Sequence, residues 1–426
     1  MSCPFMSGPR PKNATTNNNN NRDVSGGSGD ADKSAAATSD DENPAMHYHK
    51  YLHLDKVLKS QVLESEQQGC KVHDEHLFII IHQVYELWFK QILYEIDSVC
   101  TLFSRVQHDE RKQLVINQRM GRVISIMKIV VEQIHILETM TPMDFLEFRT
   151  FLAPASGFES QQFRILENRL GMKPEWRVKY AQKNYEHAHH GARLAEIKQA
   201  EIEPSLLSIV QQWLERTPGL ERDCFNFWDK FQAAANDMMS DMLRDVEELE
   251  DEHQKEAMMQ EYNIAKESFA SVFDVEKHNN MVSRGDRRFS HKALQGALFI
   301  SLYRDESRFS QPFQFLTLLM DLDSLMMKWR LNHVQLVQRM IGSRPGTGGS
   351  SGYMYLKATA SDRYKVFVDL FNLSTFLLPR KYIPTLTSDM KRRLSIPYGK
   401  VNGNVGNLHV HVESLSVSLT ETDHEV

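Results

Sequence analysis

The sequence predicts an all-α fold: a large helical bundle domain with disordered N- and C-terminal tails. Three observations carry that prediction. Apolar residues recur at three- and four-residue spacing over long stretches, alternating Val, Ile and Thr runs of strand type are scarce, and no repeat of fixed period is present. At 426 residues the chain exceeds an average domain, and one large helical domain plus tails accounts for the length. Apolar residues form 41% of it and aromatics 9%, enough to bury a sizeable core.

In chain order, residues 1–45 are rich in Asn, Ser, Gly and Asp, with an unbroken run from Asn17 to Asn21. Such sequence cannot bury enough apolar area to order itself, so it is assigned as a disordered low-complexity tail. Residues 46–390 form the helical domain, with helix-period segments at 47–66, 74–104, 112–141, 160–170, 204–216, 222–250, 255–272, 291–303, 312–341 and 359–378. The stretches 170–203 and 244–262, the latter carrying Glu247, Glu248, Glu250, Asp251 and Glu252, are the least core-like and are candidate surface insertions. From 391 to 426 the chain turns polar and Gly-containing, which predicts a flexible tail. Its alternating segment from Leu408 to Val412, with His409 and His411, also admits a short strand or a weak metal site.

Charge and cysteine usage narrow the function. A net charge of −6, from 56 acidic and 50 basic residues, provides no field for gripping phosphates, so neither nucleic acid nor an anionic membrane is an expected partner. Small-molecule chemistry is the better expectation. Cys3, Cys70, Cys100 and Cys224 are too sparse for a disulfide framework or a thiolate metal site, which fits a reducing, intracellular setting. No secretory leader pattern opens the chain, so the sequon at Asn13 has no expected route to glycosylation. The most apolar windows, 77–89 and 123–137, are interrupted by His82, Glu86, Lys128 and Glu132, and are expected to be buried helices instead of membrane spans.

Four segments contain residues that could carry chemistry. On the helix around 76–89, Phe78, His82, Tyr85 and Phe89 share one face. His82 is open to two readings, a hydrogen-bonded core side chain, the commoner case, and a functional imidazole. Thr141 and Pro142 start a helix that brings Phe145 and Arg149 together one turn apart. An Arg in such apolar company needs a carboxylate, from an internal salt bridge or from a ligand. The turn 152–158 then places Ser156 where a pocket mouth could lie. Trp329 and His333 stack at i, i+4 near the end of a long apolar helix. An imidazole so shielded suits an axial haem ligand, although a lone helical His is a weak signal.

The Gly-rich loop from Gly342 to Tyr353 lacks the ending of a phosphate-binding loop and follows no strand. Its glycines permit close backbone approach to a ligand, Thr347 offers a hydroxyl, and a flexible linker is the alternative. His187, His189 and His190 lie in polar sequence and are expected to be solvated. Glu132 with His135, and Glu250 with His253, match the Glu-x-x-His spacing of di-iron bundles, but two further inward glutamates cannot be identified.

Taken together, His73-Asp74-Glu75-His76-Leu77-Phe78, Tyr85-Glu86-Leu87-Trp88-Phe89-Lys90, Leu137-Glu138-Thr139-Met140-Thr141-Pro142, Pro154-Ala155-Ser156-Gly157-Phe158, Trp213-Leu214-Glu215-Arg216-Thr217-Pro218, Asn332-His333 and the 346–353 loop closely resemble the tryptophan 2,3-dioxygenase family. The resemblance runs in order from about Tyr48 to Pro384 and stops at both tails. It implies a cytoplasmic all-α enzyme, a homotetramer with haem b, ferrous when active, that converts L-tryptophan and O2 to N-formyl-L-kynurenine.

Carried onto this chain, the resemblance implies that His333 is the axial ligand of the haem iron, with Trp329 and Ser156 also at the cofactor. It places His82 on the opposite face, against the indole N–H, with Phe78, Phe145 and Leu152 as walls. Arg149 would pair with the substrate carboxylate, Gly346 and Thr347 would meet the ammonium, and Tyr48 and Tyr51 would reach a neighbouring subunit's site. The chain departs from the family at Ile81, where a hydroxyl residue is frequent, and at Leu331, where an aromatic is common. Outside this resemblance, the residues also admit a non-catalytic haem sensor, a di-iron oxidase, and a helical protein-binding scaffold.

Overall fold

A computed structural model describes residues 46–104, 110–179, 185–346 and 352–395. The expected tail at 1–45, most of the expected tail at 391–426, and Thr347 lie outside them. Every regular element among the described residues is helical, as the apolar periodicity predicts.

The helices of eight residues or more are, in order, α1 (His73–Ser104), α2 (Glu110–Glu132), α3 (Pro142–Leu152), α4 (Gln161–Leu170), α5 (Gly191–Ile202) and α6 (Leu206–Leu214). They continue as α7 (Phe227–Glu247), α8 (Glu252–Phe273), α9 (Val275–Arg284), α10 (His291–Leu302), α11 (Ser307–Ile341) and α12 (Gly352–Thr359). The longest, α11 and α1, both pack on α2, and α4 closes against α1. Their shared core contains Ile92, Ile96, Ile116, Met120, Met127 and Phe315, all fully buried. Side chains of this size contribute about 1.5–3 kcal/mol each on burial, which holds the long helices in register.

Local chemistry sets where the helices start and stop. Thr141 and Asp144 form a reciprocal capping box with Pro142 in the first turn, so α3 begins where the sequence indicated. Gly171 ends α4 in the left-handed region at φ 118°, a conformation that any Cβ would strain, and a Cβ there would also meet Leu207. Gly296 answers a different constraint. It lies on α10 where that helix crosses α6, and a Cβ there would collide with the Leu214 carbonyl oxygen.

Several expectations need correction. The segment 359–378 is not one helix: after Thr359 it breaks into short turns at Asp362–Tyr364, Val368–Asn372 and Leu373–Phe376. The cause is distant in sequence. Buried Asp323 of α11 accepts from the Val366 and Phe367 amides at 3.1 and 2.6 Å, and so satisfies backbone donors that a helix would have used. Among the described residues of the stretch 170–203, Trp176, Arg177, His189 and Ile197 are buried, so these parts pack on the domain. His189, expected to be solvated, is 3% exposed. Packed chain also continues past 390, through a helix Ser388–Leu394 that buries Met390 and Leu394.

The Gly296 contact generates a stability prediction. Gly296→Ala should lose at least about 1–3 kcal/mol through overpacking, despite a better helix propensity, as read from urea denaturation. A neutral or stabilised variant would contradict the close approach of α10 to α6.

Candidate active site

One large cavity of about 310 Å³ opens between α1, α3, α4, α11 and α12. Phe78, His82 and Tyr85 from α1 line it, facing Phe145 and Arg149 from α3, and Trp329 and His333 from α11. Ser156 and Gly346 sit at its loops. Nine of the residues singled out from the sequence therefore converge from segments far apart in the chain.

Three of the singled-out residues do not join them. Leu152 packs partly buried against the core without lining the cavity. Tyr48 and Tyr51, 75% and 69% exposed, lie on a short helix that buries none of its residues. Of the two departures, Ile81 turns into the core and Leu331 is half exposed on the outer side of α11. The alternative metal pairs are peripheral, since Glu132, His135, Glu250 and His253 are all exposed.

The two cavity histidines differ in kind. His82 exposes its ring to the cavity, and its Nδ1 donates to the Phe78 carbonyl oxygen at 2.7 Å, one turn back on α1. That bond fixes the neutral tautomer, with Nε2 as a bare acceptor. Burial among protein atoms lowers its pKa, against the Phe78 bond and Glu86. The Phe78 ring lies 4.0 Å from the imidazole, centroid to centroid, and holds its plane. His333 makes no hydrogen bond among the described residues and packs on Trp329 at 5.8 Å. Burial, then His82 and Arg330, push it down to about 4, so it is a neutral imidazole with ring nitrogens to offer.

Arg149 has no carboxylate partner among the described residues, so the internal salt bridge is not seen among them. Its Nη2 donates instead to the Pro345 carbonyl oxygen, at the start of the Gly-rich loop. A guanidinium carries five N–H donors, so this bond leaves most of the fork available to an anion. The facing turn is held by Glu86, which lines the cavity and accepts from the Ser160 hydroxyl at 2.6 Å and the Gln162 amide at 2.9 Å.

A charged cluster at the cavity edge escaped the sequence reading. Glu167, 1% exposed, pairs with Arg164 at 2.8 Å, with Arg330 at 2.6 Å and with Arg177. Burial alone would raise the Glu167 carboxyl, but Arg177, Arg164 and Arg330 overcome it and hold the group well below the ordinary carboxylate range. Three guanidiniums against one carboxylate leave surplus positive charge beside the cavity, which Arg164 and Arg330 line. The sequence signal was the i, i+3 pairing of Arg164 and Glu167 and the place of Arg330 three residues before His333.

This cluster makes a prediction with a definite sign. Glu167→Gln strands three buried cations and should cost about 3–5 kcal/mol at neutral pH in urea denaturation. Because the folded carboxyl is depressed, the wild-type advantage is complete above the ordinary value of 4.5 and shrinks as pH falls below it. An advantage as large at about pH 3.5 as at neutral pH would contradict the pairing.

Comparison with known proteins agrees with the resemblance read from the sequence. The family model described as Tryptophan 2,3-dioxygenase matches residues 32–377. The chain is 54% identical over 356 residues to "Tryptophan 2,3-dioxygenase" of Anopheles gambiae, covering 83% of this chain and 91% of the relative. The same identity and coverage hold for the protein of that name from Aedes aegypti. "Tryptophan 2,3-dioxygenase B" of Danio rerio is 53% identical over 346 residues, 81% of this chain and 85% of the relative.

Proposed function

The chain belongs to the tryptophan 2,3-dioxygenase family, and from that premise we propose how its cavity opens the indole ring of L-tryptophan with O2 to give N-formyl-L-kynurenine, the first step of the kynurenine route. The observation that carries the proposal is the contrast between the two cavity histidines, together with an arginine that meets no carboxylate among the described residues.

The residues fit haem b. His333 offers a neutral imidazole without a hydrogen-bond partner among the described residues, in a cavity walled by Trp329, Phe163, Leu336 and Met340. Trp329 Nε1 is buried in the same cavity with the Tyr85 hydroxyl beside it and no well-formed hydrogen bond among the described residues. Surplus charge from Arg164 and Arg330 suits the propionates of such a group, and Ser156 adds a hydroxyl at the same edge. His333 would hold the iron, which supplies the redox chemistry that O2 needs before it reacts with an indole.

The remaining steps belong to side chains of this chain. A zwitterion entering an apolar cavity must have both charges paired. Arg149 binds the tryptophan carboxylate through its free donors, while Gly346 and Thr347 receive the ammonium. Phe78 and Phe145, with ring centroids 5.9 Å apart, accept the indole face. Nε2 of His82 accepts the indole N–H, and this sets which edge of the ring is presented for reaction. With its proton already placed at Nδ1 and its basicity lowered by burial, His82 acts by positioning more than as a base. Closed aromatic walls exclude water while the ring is opened.

Met46, Tyr48, Tyr51, Leu58 and Val62 are exposed apolar residues on an arm that finds no cover among the described residues. In the proposed homotetramer this arm packs on a neighbour and brings Tyr48 and Tyr51 to its cavity. A cytoplasmic location goes with this proposal, and no helix of the described residues is long and apolar enough to cross a membrane.

The test is a spectrum of the purified, reduced protein mixed with tryptophan and air. A Soret band and growing formylkynurenine absorbance are expected, and absence of either defeats the reading. His333→Ala should lose tight haem binding, measured as haem per chain; normal content would sink the ligand assignment. Arg149→Ala should retain haem and lose about 1.5–3 kcal/mol of tryptophan binding, with a matching fall in kcat/KM. If tryptamine served wild type as well as tryptophan does, Arg149 would not be the carboxylate anchor. His82→Ala should turn over slowly but measurably, and complete inactivity would favour a base.

A further inference from the structure

A second cavity of about 210 Å³ lies away from the first, between α8, α9 and the turns of the 369–376 segment. Arg287 and Asp369 both line it, 6% and 2% exposed, yet they form no ion pair with each other. Each is held back by other partners. Arg287 donates through Nη1 to the Ser271 carbonyl oxygen at 2.9 Å and to His278 Nδ1 at 2.7 Å, and through Nη2 to the Ser271 hydroxyl at 2.7 Å. Its Nε–H and one Nη2–H find no acceptor among the described residues. Asp369 Oδ2 accepts the Arg288 and Phe289 amides, each at 2.6 Å, and Oδ1 has no donor among the described residues.

Two opposite charges, each more than nine-tenths buried, thus face one space with an unused edge apiece. Buried charges are costly unless paired, and these are kept apart by a gap instead of being closed on each other. The apolar part of the lining is Met281, Leu294 and Phe376, and the exposed side carries Asn372, Thr375 and Asp286, the last already paired with Arg284 at 3.2 Å. We propose that this cavity binds a free α-amino acid as its zwitterion, the carboxylate on the Arg287 fork, the ammonium on Asp369, and the side chain toward Leu294 and Phe376. The guanidinium edge is shaped for a carboxylate, and a carboxylate with a bare oxygen suits an ammonium. A plain anion would satisfy Arg287 and leave Asp369 facing like charge.

The experiment uses the haem-loaded full chain carrying Arg149→Ala, so that the first cavity is weakened, and follows Tm with the common L-amino acids other than tryptophan at millimolar concentration. At least one should raise Tm by about 2 °C or more. The matching amine without the carboxylate, and the matching acid without the ammonium, should each do much less. Thr375→Trp, which fills the mouth from an exposed position, and Asp369→Asn, which keeps an oxygen for the two amides, should each abolish the shift. No shift with any amino acid overturns the proposal. So does an equal shift from the amine or the acid, a comparison that needs neither variant to fold, or a shift that survives both substitutions.

Discussion

Much of this molecule depends on one buried carboxylate. Glu167 on α4 is met by Arg164 from its own helix, by Arg177 from the turn that follows, and by Arg330 from α11. A buried cluster of this kind adds little net stability compared with an apolar core, but it tolerates almost no displacement of its members. It therefore fixes the relative position of α4 and α11, and with them the wall on which His333 stands. Arg177 also donates to the Asn168 side chain, which extends the same constraint into a segment whose sequence suggested a loose insertion.

Around that fixed wall, each reactive group is positioned by a different device. A backbone carbonyl on its own helix orients His82, a carbonyl at the start of the Gly-rich loop engages Arg149, and packing against an indole holds His333. Short-range support of this sort keeps the geometry of a site from relying on loops alone. It also explains why helices as long as α1 and α11 are needed: each must contribute to the core at one end and to the cavity at another.

The helices themselves were legible because burial of one face imposes a period, and the period survives in the sequence from 74 to 104 and from 312 to 341. What was not legible arose from partners distant in the chain. Asp323 breaks the 359–378 segment from another helix, and nothing local to that segment announces it. Likewise Arg164, Arg177 and Arg330 look like unrelated surface cations until Glu167 gathers them, and His189 looks solvated until the fold covers it. Of the site, His82, Arg149 and His333 were weak signals individually. Family resemblance joined them; Phe78, Phe145, Ser156, Trp329 and Gly346 line the same cavity as these three, and Leu152 does not.

The Nδ1 bond of His82 has a consequence for selectivity. A ring nitrogen committed to a carbonyl of its own helix cannot easily reverse its tautomer, so the opposite nitrogen is permanently a lone pair facing inward. Heterocycles that present sulfur, oxygen or an N-methyl group at that point cannot answer it. They would leave a buried acceptor dry, a penalty of about 1–3 kcal/mol, or roughly fivefold to 150-fold in affinity. With His82 in its proposed place against the indole N–H, discrimination among near-isosteres of indole would come from rejection of rings without a donor, and its origin would be a main-chain oxygen that no side-chain substitution can remove.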